Sequence, residues 1–328
     1  MDDALYAGTP RFHETVMKSL FKEFKFGKLE EGDFKLLGWN METTREGEIS
    51  VSQQDYAKAK LKRCDLKKPS SARIHDPLDQ NETSQLRSLT GGLRWMADQT
   101  RPDVAFACLH LNCMANKPTW NEVNVYNEAV DQIKENNFKT MFRRLKPDKW
   151  TISVFCDASH GNLPPDFTGT GGGHIIFLGN KWTRVRDRND ETERKNRCNV
   201  ISWKCTKLPQ ACESTTEAET IALSKAIVEA DMIKEIIVEA TKVNPDLIDI
   251  EAYCDSKNAV DNIRSKLISS KAQPYRHSTK KVRDFLDEGK LKNVLEINTE
   301  EQLADCLTKR KAGTSDIIQI LSEGRFWC

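Results

Sequence analysis

No run of about 18 apolar residues occurs in this chain, so no stretch of it is long enough to cross a bilayer as a helix. Its first residues, MDDALYAG, lack the basic and apolar regions of a secretory signal. An excess of one charge is missing too, with 50 Lys and Arg against 49 Asp and Glu. A wholesale electrostatic pull towards nucleic acid is therefore not expected, and any basic surface has to be made locally. The ten cysteines form no tight framework. That argues against a disulfide scaffold and for reduced thiols in the cytoplasm or nucleus. Only CLHLNC, with Cys108, His110 and Cys113, approaches zinc-site spacing. It lacks a second ligand pair and falls in an expected helix, so a structural role is preferred. What remains is a soluble chain, no membrane protein, whose 328 residues suggest about two domains.

The apolar pattern divides the chain at KPDKW. Before it, MDDALYAGT reads as strand or hairpin, and residues 11–25 as a helix with Phe12, Val16, Leu20 and Phe24 on one stripe. GDFKLLGWNMETTREGEISVSQQ reads as two strands around a turn at REGE, followed by a helix over 53–64. LKKPSSARIHDPLDQNETS has the composition of a linker. Helical segments are expected over 84–97, 102–115 and 119–144.

After KPDKW, TISVFCDAS alternates, with Ile152, Val154 and Cys156 on one face; TGGGHIIFLGN and NVISWKC are further strands. Residues 181–197 are too charged to bury, and a solvated insertion is preferred over a nucleic-acid-facing arm. A helix over 215–241 comes next, with Ala222, Ala226, Ile233 and Ile237 among its apolar positions. Strand DIEAYCDS, helical SKNAVDNIRSK and YRHSTKKVRDFLDEG, strand LKNVLEI and a closing helix TEEQLADCLTK complete a mixed α/β domain. Its size suits one core.

Two strands end alike. VFCDAS and AYCDSK each place an aromatic, Cys, Asp and a small residue in succession, with Asp157 and Asp255 at the strand ends where α/β sheets collect ligands. If the strands are neighbours, these carboxylates meet. Bare carboxylates held together repel unless a cation intervenes, and a hard divalent ion such as Mg²⁺ is the usual solution. From position alone, turn or cap roles for each Asp stand equally open. STTEAET places Glu217 and Glu219 two apart, hence on different faces of a helix. Ser214 and Glu217 have capping-box spacing, which gives Glu217 a structural task. Glu219 lies beside Ala218 and Ile221, which are expected to face the sheet, where a charge is costly without a cation. Glu219 is the better metal ligand. Thr299 and Gln302 repeat the box spacing, and Asp305 falls between the apolar Leu303 and Leu307.

In this order, CDASHGN, VISWKCTKLP, STTEAETIALSKA, YCDSKNAV and EEQLADCLTK resemble the ribonuclease H domain of copia-type (Pseudoviridae-like) retrotransposon Pol polyproteins. Matched position by position, the resemblance puts that family's catalytic, metal-binding acids on Asp157, Glu219, Asp255 and Asp305. It implies an α/β, ribonuclease H-like fold with a mixed five-stranded sheet and flanking helices. It also implies two Mg²⁺ ions, replaceable by Mn²⁺. Asp157 would bridge both, Glu219 and Asp255 would hold the first, and Asp305 the second. An RNA–DNA hybrid is the implied partner, distinguished by its 2′-hydroxyls. Lys204, Lys207, Lys257, Lys280 and Lys281 are candidates for its phosphates, though each singly reads as a surface lysine.

Upstream, LRSLTGGLRWMADQTRPDVAFA, FKLLGWNM and MDDALYAG resemble the same polyprotein's connection, primer hairpin and palm aspartates. The expected division is a truncated reverse transcriptase palm over 1–66, a helical thumb or connection over 67–149, a ribonuclease H-like domain over 150–312 and a tail over 313–328. Asp2 and Asp3 are expected to be vestigial, with no DNA synthesis by this chain alone and the rest of a Pol polyprotein as a further partner. Many ribonucleases H keep a histidine shortly before the last acid; His277 is the nearest candidate here, while His160 and His174 read as loop and strand residues. The expected function is metal-dependent endonucleolytic cleavage of the RNA strand of hybrids. The alternatives are a non-catalytic nucleic-acid- or protein-binding remnant, or another nuclease or strand-transferase of the same fold superfamily.

Overall fold

The computed structural model describes residues 5–27, 29–145, 149–180, 197–209, 211–265, 275–310 and 312–326. Asp2, Asp3 and residues 181–196 of the charged insertion lie outside the described residues.

The first segments, Pro10–Phe12, His13–Met17 and Lys18–Glu23, run on as one helix, α1, and residues 5–9 before it form no strand. The helix matches the sequence, but its apolar stripe does not go inside: Phe12, Val16, Leu20 and Phe24 are all exposed, and Met17 is the buried residue. The rings instead meet local neighbours, as Phe12 meets Tyr6 and Phe24 meets Phe26. Strands β1 (Phe34–Leu36), β2 (Trp39–Thr43) and β3 (Ile49–Ser52) form an antiparallel meander. Helix α2 (Gln54–Lys60) is shorter than expected, because Leu61 turns to extended backbone.

Past the linker come α3 (Gln80–Gln99), α4 (Ala105–Cys113) and α5 (Trp120–Glu135). Helix α3 begins at a reciprocal cap: the Glu82 amide donates to Asp79 and the Asp79 amide donates to Glu82, each at 2.8 Å. Helix α5 begins the same way at Thr119 and Glu122. It does not continue to residue 144. It stops at Asn136, and Thr140–Phe142 becomes strand β4, paired antiparallel to β3. An edge strand offers those backbone groups partners that an isolated helix end lacks.

The second sheet has five strands: β5 (Trp150–Leu163), β6 (Gly169–Gly179), β7 (Cys198–Lys207), β8 (Ile248–Cys254) and β9 (Asn293–Glu296). Their spatial order is β7-β6-β5-β8-β9, with β6 antiparallel to both of its neighbours, β5 and β7, and β8 and β9 parallel to β5. Between β7 and β8 runs helix α6 (Thr215–Thr241), and α7 (Lys257–Arg264) and α8 (Arg276–Asp287) precede β9.

Strand β5 is buried on both faces, as a central strand must be. Ile152, Val154 and Cys156 meet Leu223, Ala226, Ile227 and Ala230 of α6 in one core. On the opposite face Phe155, Ile175, Phe177 and Tyr253 share a second core with α3, α4 and α5. Each Ile or Leu sealed in this way contributes roughly 1.5–3 kcal/mol.

The expected closing helix is absent. Residues 299–301 and 303–307 are two short 3₁₀ turns broken at Gln302, whose backbone is extended. The cap also differs from expectation: Asn298 and Glu301 form it, not Thr299 and Gln302. Gln302 has another task, since its side-chain amide donates to the Cys156 carbonyl at 2.9 Å and pins the segment to β5. Past residue 312, helix α9 (Ser315–Glu323) sends Ile317, Ile320 and Leu321 into the core, followed by Phe326. No helix among the described residues is long and apolar enough to cross a membrane.

Candidate metal centre

Strands β5 and β8 are parallel neighbours in the register Phe155 to Tyr253, which aligns the two aromatic–Cys–Asp motifs rung by rung. Asp157 and Asp255 are thereby brought to the same edge. Strand β8 ends at Cys254, so Asp255 lies at a strand end as expected. Asp157 does not: β5 runs on to Leu163, paired with β6, and Asp157 sits opposite Gly173. Gly173 is needed there, since a Cβ on it would lie 2.6 Å from Leu307 Cβ and 3.0 Å from Thr308 Cγ2. The missing side chain lets the 303–308 turn settle onto the sheet and deliver Asp305. Carboxylate oxygens of Asp157, Asp255 and Asp305 lie within 4.8 Å of one another.

Glu219, in the second turn of α6, comes to the same place. One of its oxygens accepts the Ala158 amide at 3.1 Å, and Glu219, Cys254 and Asp255 offer ligand atoms within 4.8 Å of one another. Glu217 points elsewhere. Ser214 caps the Glu217 amide at 3.2 Å, and the Glu217 carboxylate accepts the Glu213 amide at 2.7 Å. The box is thus displaced by one residue from the expected Ser214 partner, but the carboxylate is engaged at the helix start.

Burial and mutual repulsion act together on these acids. Burial, with the charge of Asp157 added, pushes Asp305 up to about 6, against the pull of Lys309. The same two causes in the same order raise Asp255. Glu219 is raised well above the carboxylate range by burial, then by Asp157, Cys254 and Asp255. Carboxylates this close lower their energy by sharing a cation, and three carboxylate oxygen donors fit a hard divalent ion.

Two participants escaped the sequence reading. Thr308, fully buried, donates its hydroxyl to Asp157 Oδ2. Lys309 places its ammonium 2.7 Å from Asp305 Oδ1 and 3.4 Å from Asp157 Oδ1. The available signal was the four-residue spacing of Asp305 and Lys309 in DCLTK. Asn162 supports the turn by donating to the Thr308 carbonyl at 2.9 Å.

The histidines and lysines named from the sequence lie apart from these contacts. His160 bonds the Cys212 carbonyl at 2.7 Å, and His174 pairs with Glu229 at 3.2 Å. His277 is exposed on α8. His110 faces Glu122 at 2.9 Å and not Cys108 or Cys113. Lys204 is held by Glu229 at 2.5 Å and Lys280 by Asp284 at 3.1 Å, whereas Lys207, Lys257 and Lys281 are exposed.

A mixed sheet of this strand order, with acids gathered from its central parallel pair, a crossover helix and a C-terminal turn, is ribonuclease H-like. No protein-family model matches the chain. It is 23% identical over 244 residues to a protein of Saccharomyces cerevisiae described as a transposon Ty5-1 protein, a match covering 70% of this chain and 71% of the relative. Among solved structures, LC11-RNase H1, isolated from compost by a metagenomic approach, is 15% identical, covering 49% of this chain and 92% of its own, at a TM-score of 0.32. The PFV RNase H domain is 12% identical, covering 53% and 91%, at a TM-score of 0.30. The chain thus carries a ribonuclease H-like domain and is similar in sequence to a transposon protein.

Proposed function

We propose that this chain cleaves the RNA strand of RNA–DNA hybrids in a divalent-metal-dependent reaction, as part of a copia-type Pol polyprotein, with Mg²⁺ as its ion. The observation that carries this reading is the convergence of Asp157, Asp255 and Asp305 within 4.8 Å, with Glu219 adjoining. Ions held there would supply the charge that activates water and stabilises a departing 3′ oxygen.

The chain's own residues supply the rest. Asp157 is almost wholly buried and is oriented by the Thr308 hydroxyl, so its oxygens are preorganised. Glu219 is held by the Ala158 amide. Asp255 and Asp305 are only half-buried and leave one side of the cluster open to an approaching strand. Exposed Lys207, Lys257 and Lys281 are available for phosphates.

The test is cleavage of a labelled RNA–DNA hybrid by the purified chain, with Mg²⁺ and with chelator, beside Glu219→Gln and Glu217→Gln. Magnesium-dependent cutting lost with Glu219→Gln and kept with Glu217→Gln is expected. A well-folded chain that cuts with neither Mg²⁺ nor Mn²⁺ would sink the proposal in favour of a non-catalytic binding remnant. Cutting of duplex DNA in preference to the hybrid would favour another nuclease of the superfamily.

A further inference from the structure

Into the cluster of acids the structure places a group of opposite charge from the same turn. The ammonium of Lys309 lies 2.7 Å from Asp305 Oδ1 and 3.4 Å from Asp157 Oδ1. The base of this side chain is fixed, because the Lys309 amide donates to the Asp305 carbonyl at 2.9 Å and the preceding Thr308 is fully buried. Its tip is not: the Lys309 side chain is 38% exposed while that of Asp157 is 1% exposed. A flexible four-carbon stem on a fixed base can hold a charge in place or withdraw it towards solvent.

We propose that Lys309 is a resident counter-ion. It holds Asp157 and Asp305 together while no divalent ion is bound, and it yields that position when one is. This rests on the reading of the acids as metal ligands. An ammonium at hydrogen-bond distance from two carboxylates occupies space and lone pairs that an ion would need, so Lys309 and the ion compete for the same oxygens. Lys309 is a positioning residue in this account. On leaving Asp157 and Asp305 its open direction is the solvent side, from which a phosphodiester strand must also approach.

A lysine that only supported the fold would, on removal, loosen the acids and weaken ion binding. A competitor would, on removal, strengthen it. The two roles therefore move one measurement in opposite directions. The experiment titrates Mg²⁺ into the nucleic-acid-free chain by calorimetry and records thermal unfolding in chelator, for wild type, Lys309→Met, Lys309→Arg and Arg310→Met. Arg310 pairs with Glu128 at 3.2 Å, so its variant controls for the loss of one positive charge nearby.

Lys309→Met is expected to bind Mg²⁺ about tenfold more tightly, the order expected for one unit charge at contact distance near a surface. It is also expected to melt lower than wild type in chelator and to regain that loss when Mg²⁺ is added. Lys309→Arg and Arg310→Met should stay near wild type in both measurements. If the Met chain cannot be purified folded, Lys309→Gln carries the same titration. Unchanged or weaker Mg²⁺ binding in the neutral variants, while Asp157→Asn abolishes binding, overturns the counter-ion and leaves the metal centre standing. Absence of any Asp157-dependent binding in wild type overturns both.

Discussion

Thr308 shows how much a single hydroxyl can hold. Its side chain is fully buried and donates to a carboxylate that is itself almost wholly buried, so removing the donor leaves Asp157 short of a partner in a place water does not reach. Replacing Thr308 with Val keeps the shape and removes the hydrogen bond. The expected cost is roughly 1.5–3 kcal/mol, the range for bonds to charged groups, read from urea unfolding. Ser at the same position keeps the hydroxyl and should recover more than half of that loss. A Val variant as stable as wild type would mean that the bond is not made in solution. Glu219 and Glu217 carry the same lesson differently. Both are buried glutamates on one helix, and only the direction of each carboxylate separates the one at the acid cluster from the one at a cap.

Among the elements, the turn over 303–308 depends on a neighbour in another strand. Gly173→Ala would drive a methyl group against Leu307 Cβ, 2.6 Å from where the new atom must go. Overpacking of this kind costs roughly 1–3 kcal/mol, and here the displaced segment bears Asp305, Thr308 and Lys309. Stability in urea and Mg²⁺ affinity are therefore expected to fall together. Gly91→Ala is the contrast. Gly91 is exposed within α3, and a Cβ there meets nothing within 4 Å. That substitution should stabilise the chain by roughly 0.5–1 kcal/mol, since Ala loses less backbone freedom in a helix. If Gly173→Ala gains stability as Gly91→Ala does, backbone entropy and not the turn contact governs the Gly173 position.

For the whole molecule, two sets of acids oppose each other in their dependence on pH. Asp305 is raised to about 6 by burial and by Asp157, and Asp255 and Glu219 are raised as well. The folded chain therefore binds more protons than the unfolded one between the ordinary carboxylate range and about pH 6, and its stability falls as pH rises through that window. Glu122 and Glu229 act in the other sense. Burial raises each, but hydrogen bonds from His110 and Thr119 to Glu122, and from His174, Lys204 and Ser202 to Glu229, outweigh it and bring both to about 2. Their contribution is present above their ordinary value of 4.5 and is lost as pH falls below it. In chelator, thermal stability should therefore peak near the ordinary glutamate value of 4.5 and fall above it. Saturating Mg²⁺ should shift the maximum upward by relieving the repulsion. A stability that climbs steadily from pH 5 to 7 in chelator would contradict the raised acids.

The sequence by itself determined the strands and long helices of the second half, because their signals are local. Period-two alternation marks β5 and β8, and a capped apolar run marks α6. It also determined which glutamate of the pair to prefer, since helix geometry puts residues two apart on different faces. Contacts between distant segments decided the rest. Gln302 reaches the Cys156 carbonyl, and that bond accompanies two 3₁₀ turns in place of the continuous helix suggested by TEEQLADCLTK. Residues 140–142 leave the helical pattern because β3 offers them a partner strand. The stripe of α1 is periodic enough to promise burial, yet Phe12, Val16, Leu20 and Phe24 stay exposed. Periodicity shows which residues share a face but not what covers it. Nor does spacing bring Thr308 and Lys309 to Asp157, some 150 residues away; parallel pairing of β5 with β8 and the close approach at Gly173 do.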